Sequence, residues 1–247
     1  GGFFAAVKSI FALIPGFATA ETAERRLFEL LKAPGRGEDN LSDGESIVFS
    51  NVSFAYDELT VLKDYSAAFD MSAIYILKGP NGIGKSTIFR LITGLLVCDN
   101  GVIRVGGAES ERKNSFPEAV FYLPQDDYDF SFTPEILYKM ALPDGADGAA
   151  EYAGIFGLSE AQIQNTPIRN LSGGDRKKVF LALAFAAKPK FMLLDEPANS
   201  LDAQSREVLA ELLRRRMCGA IIITHTEELD SAADSFITLG AGEITYE

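Results

Sequence analysis

The chain has 247 residues, 47% of them hydrophobic, and sets 23 Lys and Arg against 35 Asp and Glu for a formal net charge of -12. Apolar content of this size supports a substantial core, one domain plus an appendage, and excludes a disordered chain. The acidic balance argues against a nucleic-acid backbone as partner. The two cysteines, Cys98 and Cys218, match no metal or redox spacing, as expected of a reducing compartment.

The first 45 residues read separately from the rest. The chain opens on Gly1-Gly2 rather than methionine, which predicts a fragment or processed piece of a longer protein. Residues 3–20 are mostly apolar but contain Lys8 and Pro15-Gly16. A membrane span usually needs about 20 uninterrupted apolar residues, which argues against a complete span here; a partner-binding amphipathic helix is the alternative, with a signal peptide third because of the motifs that follow. Glu21 to Leu31 has helical spacing and stops before Pro34-Gly35; residues 34–46, rich in Gly, Asp and Glu, read as a linker.

Strand-like segments from Ile47 to Phe69 predict an antiparallel β region. The run Ala73-Ile74-Tyr75-Ile76-Leu77 reads as a buried strand. It leads into Gly79-Pro80-Asn81-Gly82-Ile83-Gly84-Lys85-Ser86-Thr87, which fits G-x-x-x-x-G-K-[ST], and then into a helix carrying Ile88, Phe89, Leu91 and Ile92. Glycines there let backbone N–H groups point inward, and the helix that begins near Lys85 adds its positive end to the same anion site. Lys85 is expected to reach the β- and γ-phosphates of a nucleotide, and Ser86 to offer its hydroxyl to Mg²⁺.

A strand from Ala119 to Leu123 precedes Gln125. The acids Asp126, Asp127 and Asp129 beyond it read as a solvated loop, because no His or Cys supports a metal. From about Phe130 to Asn170 strand signals are weak; Ile136, Leu137 and Met140 have helical spacing, and Asp144 to Ala150 reads as a small-residue loop. A second glycine-rich sequence follows, Leu171-Ser172-Gly173-Gly174-Asp175. S-x-x-[DE] before an apolar run is a helix capping box, with Asp175 as the capping acid. Yet two glycines cost up to about 1 kcal/mol each against alanine in a helix. Their value is close backbone approach, which fits a γ-phosphate arriving from a partner subunit at a helix N-terminus. Both readings stand together.

Phe191-Met192-Leu193-Leu194 predicts a fully buried parallel strand that delivers Asp195 and Glu196 at its carboxyl end, where ligands bind in open α/β sheets. Asp195 is expected to hold Mg²⁺ through its water shell and Glu196 to polarise an attacking water as general base. Arg214-Arg215-Arg216 reads as the end of a helix terminated by Gly219, where cations suit the dipole. His225, the only histidine, follows the apolar strand Ala220 to Thr224.

Taken in order, these residues resemble the nucleotide-binding domain of ATP-binding cassette (ABC) transporters over residues 47–247. The resemblance implies an α/β P-loop NTPase with a mostly parallel core sheet, an antiparallel β subdomain and an inserted helical subdomain at about 130–180. It makes Tyr56 the adenine-stacking aromatic, and Gln125 a Mg²⁺ and water contact linked to the membrane domain. Ser172 to Asp175 become the signature, with Asp175 standing where Gln or Glu is usual. Ser200-Leu201-Asp202 become a loop at the dimer interface, with Asp202 near nucleotide, and His225 the residue that holds the γ-phosphate and orients Glu196.

Residues 21–31 are similar to the A-x-x-R-[IL]-F-E-L-L segment that joins the last transmembrane helix to the cassette in ABC exporters. Residues 1–33 would then be the end of that helix and its connector. The function implied is ATP·Mg²⁺ binding and hydrolysis in a head-to-tail dimer at the cytoplasmic face of a membrane, powering export of an unidentified substrate. The partners implied are a second nucleotide-binding domain and an upstream membrane domain. An importer cassette and a soluble ABC ATPase are the alternatives.

Overall fold

The computed structural model describes residues 46–106, 108–109, 120–125, 129–215, 218–239 and 244–246. The expectations for the membrane-helix end, the connecting helix and all of the linker but Ser46 lie outside these residues, as do those for Asp126, Asp127 and Arg216. Ser46 itself is the first residue of a strand.

Two sheets share the work. The first is antiparallel, in the order β2-β1-β4-β5, from β1 (Ser46–Tyr56), β2 (Leu59–Asp70), β4 (Asn100–Val105) and β5 (Ala108–Glu109). The expected short segments of 47–69 are thus two long strands in a hairpin whose turn is Asp57-Glu58. Their register shifts between Phe49 and Val52 and again on either side of Phe54. Left-handed Asn51 and Asp64 fall within this irregular stretch, where extra residues raise the local twist.

The second sheet has the order β10-β9-β3-β8-β7-β6. Its members β3 (Ile74–Lys78), β6 (Val120–Leu123), β7 (Phe191–Asp195), β8 (Gly219–Ile223) and β9 (Ser235–Leu239) run parallel, and β10 (Ile244–Tyr246) pairs antiparallel to β9. Strands β6, β7 and β8 lack polar alternation because both faces are covered. Met192, Leu194, Ala220 and Ile222 pack on the helical side. Phe191, Leu193, Ile221 and Ile223 pack on the opposite side with Phe89, Ile92 and residues of the antiparallel sheet.

The described residues form six α-helices, α1 (Lys85–Ile92), α2 (Pro134–Ala141), α3 (Ala146–Ile155), α4 (Glu160–Asn165), α5 (Gly173–Ala186) and α6 (Ala203–Arg214), and two 3-10 helices, Ile168–Asn170 and Glu227–Ala232. The helical region expected at 130–180 is present as α2 to α4 leading into α5. Two local expectations need correction. Most of the small-residue loop at 144–150 is helix, because alanine favours helix and Ala149 and Ala153 present a buried face to α5. Gly219 does not terminate α6, which ends in right-handed geometry at Arg215. Gly219 instead opens β8, where a Cβ would lie 2.2 Å from the Met71 carbonyl oxygen. In α2 the buried positions are Pro134, Leu137, Tyr138 and Ala141, while Ile136 is exposed. Among the described residues no helix is long and apolar enough to cross a membrane.

Candidate active site

The carboxyl ends of β3, β7 and β8, neighbours in one parallel sheet, converge on a single place. Beyond β3, Gly79 and Gly84 adopt φ of 145° and 108°, and a Cβ on either would meet the Leu239 carbonyl at 2.7 Å or the Val61 side chain at 2.4 Å. Only glycine fits that turn. Gly84 caps α1, so Lys85 is its first residue. A cation at a helix N-terminus opposes the dipole. Here the buried Lys85 ammonium folds back and donates to the carbonyls of Gly79 (2.7 Å) and Pro80 (3.0 Å).

Ser86, next along α1, lies beside the Asp195 carboxylate at the end of β7, where its hydroxyl favours the charged form. Asp195 is 3% exposed. Its burial pushes the carboxyl above the ordinary value, opposed by the Ser86 hydroxyl and by the charges of Arg90, Lys177 and Lys85. Glu196 follows with a left-handed φ of 49°. Its backbone N–H donates to the Ile223 carbonyl at 2.8 Å, which carries the β7–β8 pairing one residue further and turns the side chain toward His225. His225 Nε2 lies 3.5 Å from Glu196 Oε1, with the carboxylate buried and the imidazole mostly exposed. Burial raises the proton affinity of Glu196; the charges of His225 and Lys85 oppose this, and that of Asp195 adds to it.

Tyr56, at the end of β1, is 38% exposed. The edge of Phe54 meets its ring at 4.8 Å and 90°. Gln125 is exposed just past β6, and its backbone carbonyl accepts from Lys177 Nζ at 3.0 Å. Asp129 is exposed and pairs with Arg176 at 2.9 Å.

Ser172, Gly173, Gly174 and Asp202 form a second group, with no hydrogen bond or ion pair to Lys85, Ser86, Asp195 or Glu196 among the described residues. Ser172 caps α5 by accepting from the Asp175 N–H at 3.1 Å. The other half of the expected box is absent. The shorter Asp175 carboxylate accepts from Gln162 Nε2 at 3.2 Å and lies 3.7 Å from Lys178 Nζ. Gly174 sits so close to the loop before α6 that a Cβ would come within 2.5 Å of the Ser200 carbonyl. Asp202 caps α6 through Ser205 N–H (2.8 Å) and pairs with Lys178 (2.8 Å), and Lys178 first, then Ser205, hold its carboxyl well below the usual range.

Sequence reading passed over Lys177, Lys178, Gln162 and Arg90. A signal for the two lysines existed: cations near the start of a helix are unfavourable unless something else holds them.

A family model for ABC transporters matches residues 62–199, over half of the chain. A protein of Rickettsia bellii named as an export ATP-binding/permease protein is 29% identical over 82% of this chain, which spans only 38% of that relative. A protein of Archaeoglobus fulgidus named as an ABC transporter ATP-binding protein is 35% identical over 66% of this chain and 73% of its own length. Among solved structures, a bacterial Atm1-family ABC exporter with ATP bound superposes with a TM-score of 0.71 at 25% identity, covering 81% of this chain and 38% of its own. A dimeric post-hydrolysis ATP-binding cassette bound to ADP and Pi gives 0.72 at 22% identity, covering 81% and 97%; that likeness speaks for the fold. With its glycine-rich loop, its adjacent strand-end acids and its histidine joined on one parallel sheet inside the matched architecture, the chain belongs to the ABC transporter family.

Proposed function

We propose that this chain binds ATP with Mg²⁺ and hydrolyses it in a head-to-tail dimer, powering export across a membrane through a membrane domain encoded upstream. The observation that carries the chemistry is Glu196: a buried carboxylate of raised proton affinity, held in left-handed backbone geometry between β7 and β8 and 3.5 Å from His225. On this reading Glu196 accepts the proton of the water that attacks the γ-phosphorus. His225 orients that carboxylate and meets the γ-phosphate, Lys85 exchanges its loop carbonyls for phosphate oxygens, and Tyr56 stacks on the adenine.

The donor set suits a hard cation. A buried carboxylate beside a hydroxyl is costly without a positive partner, so Ser86 and Asp195 would hold Mg²⁺, with Gln125 completing the set. Bound there, the ion supplies neutralisation of charge on the β- and γ-phosphate oxygens.

The backbone of Gly79 to Thr87 cradles the phosphates. Ser172 to Gly174, open at the N-terminus of α5, and Asp202 serve the nucleotide of a second copy; the dimeric state of the solved cassette supports this reading. The name of the Rickettsia relative and the sequence of residues 21–31 support export, and with it a place at the cytoplasmic face of a membrane, over the importer and soluble alternatives.

Glu196→Gln tests the mechanism. ATP should still bind while hydrolysis falls at least about a hundredfold, and an ATP-dependent dimer should become visible by light scattering. Near-normal turnover would refute the assignment. Lys85→Ala should instead lose nucleotide affinity.

A further inference from the structure

Base stacking needs only a π-face, so the hydroxyl of Tyr56 calls for a separate explanation. The residue ends β1 beside an exposed two-residue turn, with its half-exposed ring packed edge to face against Phe54. Arg90 Nη1 donates to the Tyr56 hydroxyl at 3.4 Å. The same guanidinium lies near enough to Tyr122 on β6 to be favoured in its charged form by that ring's hydroxyl, and the Tyr122 ring packs edge-on to Phe89 at 5.9 Å. Arg90 thus stands between Tyr122 of the core sheet and Tyr56 at the end of β1.

Its position on α1 matters as much. Lys85 begins that helix and Arg90 lies five residues along it, about 7.5 Å in axial rise. One short helix thus carries both the ammonium facing the phosphate turn and the guanidinium holding the aromatic ring. We propose that Arg90 is a positioning residue for base recognition: it fixes the Tyr56 ring relative to the phosphate loop, so that base and phosphates meet a site whose spacing is set by α1. The inference rests on the reading of Tyr56 as the stacking residue. The tether acts before binding, by removing ring freedom that the nucleotide would otherwise have to restrict.

The test compares ADP with inorganic pyrophosphate by titration calorimetry on the full 247-residue chain, so that neither hydrolysis nor the γ-phosphate intervenes. Tyr56→Phe keeps the π-face and removes the tether's acceptor, and Arg90→Met removes its donor. Each should weaken ADP binding about three- to tenfold, the range of one lost hydrogen bond, with the double variant no worse than either alone. Pyrophosphate affinity should stay at the wild-type value in all three.

If Arg90→Met fails to fold for want of its Tyr122 contact, Tyr56→Phe alone gives the answer. Wild-type ADP affinity in Tyr56→Phe, with a loss in Tyr56→Ala, overturns the tether and leaves stacking intact. No loss in Tyr56→Ala overturns the stacking reading and the inference with it. Equal losses for ADP and pyrophosphate in Arg90→Met overturn the proposal by assigning Arg90 to the phosphate end.

Discussion

Asp195 and Asp202 are acids of one short stretch of chain, and the fold treats them oppositely. Asp202 is half exposed and fully served: Lys178 and the Ser205 N–H each approach to 2.8 Å, and its carboxyl is held well below the usual range. Asp195 is buried, and desolvation pushes its carboxyl up against the opposing influence of the nearby Ser86 hydroxyl and the surrounding cations. The fold gains from the first acid and is burdened by the second. That burden fits the proposed role of Asp195 beside a bound cation.

The same division separates the glycine-rich turns. Gly79 to Thr87 folds a buried cation back onto its own carbonyls, whereas Ser172 to Gly174 brings shape and helix N–H groups. The cations behind the second turn, Lys177 and Lys178, are tied sideways to the Gln125 carbonyl and to Asp202.

The largest expected effect breaks the second turn alone. Gly173→Asp puts a carboxylate at the first turn of α5, where the helix dipole welcomes it, so folding is retained. The same carboxylate repels a γ-phosphate presented by another copy. ATP affinity of the isolated chain should match wild type, because Lys85 and its loop are untouched. ATP-driven dimerisation should vanish by light scattering, and hydrolysis should drop to background. Full activity in this variant would reduce the second turn to a helix cap. Wild-type activity should rise faster than linearly with protein concentration while the dimer is weak; a strictly linear rise would mean that each chain works alone.

The sequence disclosed the parts whose physics is local. Buried parallel strands appear as unbroken apolar runs, so β3, β7 and β8 were legible to within a residue or two; Asp195 and Glu196 were read from the end of β7, Lys85 from the glycine-rich motif, and the role of His225 only from the family resemblance. Gly219 misled because a glycine after a cationic helix end looks like a cap, whereas its small size answers to Met71, far away in sequence. Asp144 to Ala150 misled because small residues serve loops and helix contacts alike. Partnerships such as Gln162 with Asp175, Lys178 with Asp202 and Arg90 with Tyr56 depend on packing across elements, and no periodicity encodes them.

A middle-sized effect should come from Asp202→Ala. Loss of the α6 cap costs about 1 kcal/mol, and loss of a largely solvated ion pair adds less than about 1 kcal/mol. The unfolding midpoint should fall by roughly 2 to 8 °C. The sign with pH follows from a depressed carboxyl: the stabilisation is complete above the ordinary value of 3.8 and is lost as pH falls through the lower folded-state value. Thermal scans of both proteins at neutral pH and under acid should therefore converge at the acid end. A gap that persists unchanged there would show that the cap, rather than the charge, carries the contribution.

The smallest effect should have the opposite sign. Asp195→Asn keeps the shape and a hydrogen-bonding group beside Ser86 and removes the buried charge, so the isolated chain at neutral pH should become more stable by about 1 kcal/mol, or roughly 2 to 4 °C in midpoint. The pH dependence separates this from a packing change. A carboxyl whose folded-state value lies above the ordinary 3.8 binds protons more tightly in the folded state, so wild-type stability rises as pH falls through that raised value and levels off below 3.8. The asparagine variant is already neutral and gains nothing from acid. Its advantage should be full at neutral pH and vanish below the ordinary carboxyl value. Added Mg²⁺ and ADP should reverse the ranking, because the charge removed from the fold is the one assigned to the ion. A variant less stable than wild type at neutral pH would mean that the nearby cations already balance Asp195, and the contrast with Asp202 would collapse.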